Sequence, residues 1–146
     1  INDKNIEIVI EFAQSYKYDL HKEVYTVFYI NKPPDEIKFH LSDNEKRKII
    51  GKYYDLDINK ISGKDKITGN TYIEDKCMIM PKLFTIIHVK GKDKLQEIQI
   101  DEGCDDFYLS NFSKAKRIKK FLQFIDGIVK SKPQIKNAPT SNIMYM

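Results

Sequence analysis

The most reactive side chains in this 146-residue sequence are two cysteines and three histidines. Cys77 and Cys104 bracket the stretch "CMIMPKLFTIIHVKGKDKLQEIQIDEGC", with His88 between them. Three chemistries use such a set: a thiolate with an imidazole base, a pair of metal ligands, or a disulfide. The thiolate is disfavoured at Cys104, because Asp101, Glu102, Asp105 and Asp106 surround it and negative charge raises a thiol pKa. His88 shares a strand face with Phe84 and Ile86, a position typical of a half-buried sheet histidine. A metal site needs three or four ligands, and no second His or Cys falls at zinc spacing, so neither a metal nor a cofactor is expected. The disulfide has geometry in its favour. If the turn of the hairpin centres near Gly91, Cys77 and Cys104 arrive nearly opposite one another, with Cβ atoms about 4.5–5.5 Å apart. Closing the 28-residue loop would be worth about 3.6 kcal/mol of chain entropy. A Cys77–Cys104 staple is therefore expected. Two free structural thiols, and a cysteine-dependent enzyme using His88, stand as alternatives.

Other candidates are weaker in chemistry. Tyr16, Tyr18, Tyr25, Tyr53 and Tyr54 lie in or near predicted loops and at the end of a predicted helix. Tyrosine builds contact area at low entropy cost, so these five either pack structurally or form a contact surface. Lys116, Lys119 and Lys120 line one side of the last predicted helix and form a candidate polyanion face, or simply its wet side. The acidic run "DEGCDD" lacks the spacing of a calcium loop and reads as a solvated strand end. His21 and His40 have no evident partner, His40 falling out of step with Phe39. There is no glycine-rich phosphate loop, no G-x-S-x-G and no H-E-x-x-H.

The elements that must carry these residues follow from periodicity. "IEIVIEF" sets Ile6, Ile8, Ile10 and Phe12 against Glu7, Val9 and Glu11, which is a strand with one wet face. "VYTVFYI" (24–30) is a second strand, joined to the first by "AQSYKYDLHKE" read as a long polar link. Pro33–Pro34 break the pattern, and "EIKFHL" makes a third strand. Ser42 to Glu45 form a capping box that opens a helix to about Tyr54, presenting Ile49, Ile50 and Tyr53 to the sheet. Residues 55–76 read as a long polar excursion with one short extended piece at "TYI". "LFTIIHV" and "LQEIQI" form a hairpin across "KGKDK". "SKAKRIKKFLQFIDGIVKSK" is the clearest helix. Ala115, Ile118, Phe121, Leu122, Ile125, Ile128 and Val129 make one stripe, with Ser113 as cap and Pro133 stopping it at Lys132. Gly127 within it implies close backbone packing. Residues 133–146 form a tail whose apolar end lies back on the domain. The predicted order β-β-β-α-loop-β-β-α specifies a single α+β domain over 1–146. Its mostly antiparallel sheet has about five strands, covered on one face by two helices.

Composition narrows the function classes. Hydrophobic content of 41% and charge of 32% fit a globular chain. The net charge is +4, yet only Arg47 and Arg117 among the 25 basic residues are arginine. That lysine bias, with no arginine forks to grip phosphate or base edges, makes nucleic acid an unlikely partner by chemistry. No apolar run reaches the roughly 18–20 residues of a membrane span. The sequence starts at Ile1, which points to a removed leader, upstream domain or tag.

The segments "FHLSDNEKRKIIGKYYDLDI", "CMIMPKLFTIIHVKGKDKLQEIQIDEGC" and "FLQFIDGIVKSKPQIKNAP" together carry a resemblance. The L-S-x-x-E helix start, V-K-G-K hairpin and K-P-x-x-K helix end, over residues 24–139, resemble small exported bacterial proteins, many of them lipoproteins of unknown function. The resemblance implies a cleaved signal peptide and a periplasmic, envelope or cell-surface location, with membrane anchoring through the removed N-terminal region left open. It brings no catalytic residue, and the lipid-bearing cysteine of such lipoproteins is absent here. The expectation is a non-enzymatic exported domain acting by contact with an unidentified protein. Immunity to a secreted toxin is one version; a cysteine enzyme and a polyanion-binding module are the alternatives.

Overall fold

A computed structural model describes residues 4–61, 70–72, 84–92, 95–101 and 113–143. Strands β1 (Glu7–Phe12), β2 (Tyr16–Asp19), β3 (Val24–Tyr29) and β4 (Lys32–Lys38) form an antiparallel meander, followed by helix α1 (Asp43–Asp55) and a 3-10 turn at Ile58–Lys60. Next come β5 (Asn70–Tyr72), the hairpin β6 (Phe84–Lys90) and β7 (Leu95–Asp101), helix α2 (Ser113–Val129) and a short α3 (Pro133–Lys136). Among the described residues the sheet has the order β4-β3-β2-β1-β6-β7-β5. Six of its strands are antiparallel to their neighbours, and β5 adds at the edge, parallel to β7. The α+β architecture is as expected, with more strands than the five predicted.

Register explains which face is buried. Ile37, Tyr25, Tyr18, Ile10, Ile87 and Ile98 lie side by side across six strands. This row and its neighbours pack against Ile49 and Tyr53 of α1 and Ile118, Phe121, Leu122, Ile125 and Val129 of α2 in one cluster. The helices run antiparallel across it. Lys132 beyond the end of α2 meets Glu45 at the start of α1, and Arg117 near the start of α2 donates to the carbonyls of Leu56 and Asp57 at the end of α1.

Several expectations need correction. The polar link between the first two predicted strands contains β2, whose Tyr16 and Tyr18 point inward beside Phe12 and Ile10. Pro33 and Pro34 sit inside β4 instead of interrupting the sheet. β4 is the edge strand, where a missing N–H need not face a neighbour. The 55–76 stretch opens with core: Ile58 and Ile61 are buried. Helix α2 ends at Val129, before the predicted stop, and Pro133 instead begins α3 as its first residue. Gly127 has open space, not a packed neighbour, where a side chain would sit. The tail past α3 lies over β2 and β3, with Ser141 donating from its amide to Tyr16 Oη (3.0 Å) and from its hydroxyl to Phe28 O (2.5 Å).

Candidate functional site

A cleft of about 710 Å³ lies between α1, the start of β1 and the β2–β3 turn. Its floor is apolar: Ile6 and Ile8 from β1 and its approach, Leu20 from the turn, and Leu41 and Ile49 from the helix side. One flank of α1 forms the wall, where Asp43, Arg47, Ile50, Gly51 and Tyr54 recur at helical spacing. The mouth is basic. Lys4, Lys46 and Arg47 border it against the single carboxylate of Asp43.

Local interactions fix this wall. Ser42 Oγ accepts from Glu45 N (3.1 Å), and the Glu45 carboxylate accepts from Ser42 N (2.9 Å), closing the predicted capping box. The same carboxylate accepts from Lys132 Nζ at 2.6 and 2.9 Å. The ammonium of Lys132 and the Ser42 amide together hold the Glu45 carboxyl below its ordinary range. Glu23, in a left-handed turn conformation (φ 57°), accepts from Leu41 N at 2.8 Å and lies 3.5 Å from Lys46 Nζ. Lys4 and Arg47 have no ion pair among the described residues, so their charges are free at the mouth.

The predicted site residues are dispersed. Cys77 and Cys104 lie outside the described residues. The register that was to bring them together does differ: pairs from Phe84↔Asp101 to Lys90↔Leu95 centre the turn between Lys92 and Asp93, not at Gly91. Within the described residues every facing position is shifted along the partner strand from that expectation. His88 is on the outer face, where its Nε2 lies 3.3 Å from Glu11 Oε2. His21 and His40, expected to be alone, meet Glu7 (3.4 Å) and Glu23 (3.6 Å), carboxylates that only the fold brings near.

Of the five tyrosines, Tyr18, Tyr25 and Tyr53 are buried, so an exposed contact surface is reduced to the half-buried Tyr16 and Tyr54. Burial raises the hydroxyl pKa of Tyr53, which donates to Gln96 Oε1 at 2.6 Å. Lys116 and Lys120 are exposed on α2 and Lys119 is half-buried. Arg117 does not join them, since its guanidinium turns inward to the end of α1.

Sequence reasoning missed the cleft because its walls come from three separated segments, residues 4–8, 20–21 and 41–54. The one local sign was the pairing of Lys46 and Arg47 with Ile50 and Tyr54 on one helical flank. The chain matches no protein-family model and no curated protein sequence. No helix among the described residues is long and apolar enough to cross a membrane, and no three His, Cys, Asp or Glu side chains among them converge as a metal site.

Proposed function

We propose that the protein is a non-enzymatic binding domain that acts by protein contact, and that the α1 cleft receives the partner. The observation carrying this reading is the pairing of an apolar floor with the unpaired cations Lys4 and Arg47 at its mouth. Charge complementarity specifies the occupant: a protein segment with acidic side chains flanking apolar ones. The apolar contacts supply affinity, and the cations set orientation and association rate. An exported location and a Cys77–Cys104 staple belong to the same proposal, supported by the even cysteine count and the resemblance of residues 24–139 to exported proteins.

Gly51 offers the test. A methyl group placed there would meet no atom within 4 Å, so Gly51→Leu fills the cleft from an exposed helix flank and favours the helix. Partner capture from envelope extract should be lost in Gly51→Leu and in Arg47→Glu. It should persist in Glu97→Lys on the outer sheet face. The same captured set from all of these variants would overturn the assignment of the cleft. Intact mass after alkylation, with and without reductant, reads the staple separately.

A further inference from the structure

A second concavity, of about 320 Å³, lies at the other end of the sheet and is lined by Phe12, Tyr16, Tyr18, Tyr25, Asp126 and Lys130. Register builds its aromatic wall. Phe12 faces Tyr16 across β1 and β2, and Tyr18 faces Tyr25 across β2 and β3. The rings are in mutual contact, with centroids 4.9 Å apart for Phe12 and Tyr18, 5.2 Å for Tyr18 and Tyr25, and 5.9 Å for the stacked pair Tyr16 and Tyr25.

Helix α2 adds one carboxylate to this box. Asp126 is half-buried; its Oδ1 is enclosed and meets no donor in full hydrogen-bond geometry, while the Tyr18 hydroxyl lies close enough to the carboxylate to share a proton contact with it. Its other oxygen lies 3.6 Å from Lys130 Nζ, one helical turn on, and the Lys130 side chain is 65% exposed. An exposed pair at this spacing is weak, so the ammonium at the mouth exchanges readily with solvent. Burial, then the charge of Asp126 and a hydrogen bond to that carboxylate, raise the hydroxyl pKa of Tyr18; burial, then Tyr16 and Asp126, raise that of Tyr25. Both phenols therefore stay neutral; since Tyr18 and Tyr25 are buried, the half-buried rings of Phe12 and Tyr16 are the aromatic surface nearest solvent, beside one negative charge.

We propose that this aromatic pocket is a binding site for an organic ammonium group, which displaces Lys130 from Asp126 and rests against the half-buried rings of Phe12 and Tyr16. Cation–π attraction and the carboxylate act on the same charge, and the apolar ring edges accommodate alkyl substituents that a metal ion lacks. The site is separate from the α1 cleft and does not depend on it.

The test is titration with choline, with N-acetyl-lysine methylamide and with 3,3-dimethylbutanol, the uncharged isostere of choline. Binding is followed by tyrosine ring NMR shifts and by tyrosine fluorescence, which is unobscured because the chain has no tryptophan. At least one ammonium should saturate, about tenfold more tightly than the alcohol. Preference for choline identifies a free small cation as the source, and preference for the lysine amide a protein-borne one. Asp126→Asn should weaken binding about tenfold, and Lys130→Met, at an exposed position, should strengthen it about threefold by removing the internal competitor. Equal binding of choline and the alcohol, no saturable shift with either cation, or indifference to both substitutions would overturn the site.

Discussion

Gln96 shows how far one side chain can be committed by its neighbours. It is buried, and every polar atom it carries is used: Oε1 accepts from Tyr53 Oη, while Nε2 donates to the carbonyls of Ile58 (2.9 Å) and Ile61 (3.0 Å). It thus ties β7 to α1 and to the 3-10 turn. Gln96→Leu would remove the acceptor of the Tyr53 hydroxyl and the side-chain donor to two carbonyls, of which Ile58 O keeps the Ile61 amide (3.1 Å). We expect a loss of about 3 kcal/mol by urea denaturation, against about 1 kcal/mol for Tyr53→Phe, which removes one bond and leaves Nε2 satisfied. The alternation in "LQEIQI" already contained half of this result. Ile98 and Ile100 set the inward face, which draws Gln96 in and leaves Leu95 81% exposed. The partners were not legible, because Ile58 and Ile61 belonged to a stretch that looked uniformly polar.

The ends of α1 and the turn before β2 carry the strain and the charge of the secondary structure. Glu45 is at once the capping-box acid and the partner of Lys132, so it joins the start of α1 to the end of α2. Its folded carboxyl pKa lies below the unfolded one, near 4.3. The stabilisation is therefore fully present above that value and is lost as pH falls through the folded pKa. Glu45→Gln keeps the reach back to Ser42 and removes only the charge. It should cost ~0.5–1 kcal/mol at pH 7 and nothing once the wild-type acid is protonated, which denaturation at neutral and acid pH would resolve. The β1–β2 turn is the opposite case. In the three-residue link between the facing pair Phe12 and Tyr16, Ala13 (φ 49°) and Gln14 (φ 61°) both occupy the left-handed region. They are the two central positions of the turn closed by Ser15 N donating to Phe12 O (2.9 Å), without the Asn-Gly chemistry that suits it. The double substitution Ala13→Asn with Gln14→Gly should raise stability by about 1–2 kcal/mol in thermal unfolding. This mismatch is also why β2 was invisible in the sequence: with no glycine or asparagine at 13–14, nothing marked a tight turn, and four residues of "YKYD" merged with their polar flanks.

For the molecule as a whole, the layer arrangement was legible and its wiring was not. Strand alternation in 6–12, 24–29 and 84–100, the capping box and the apolar stripe of α2 specified one sheet under two helices. Strand order, the edge placement of Pro33–Pro34 and the hairpin register depend on contacts between distant segments, and turn composition misplaced the last by pointing to Gly91. The candidate cleft was hidden for the same reason, since its cations and its floor meet only after folding. That wiring has a consequence of its own. β1 pairs with β2 on one side and with β6 on the other, so the earliest strand fills the middle of the sheet. A chain lacking residues 1–13 would keep both flanking strands but expose two bare hydrogen-bonding edges around an empty slot. A synthetic peptide of residues 4–13, added in trans, should reoccupy that slot and restore native circular dichroism. The same peptide with Ile8 and Ile10 changed to Asp should not. The protein would then behave as a two-piece lock whose first ten described residues are a removable key.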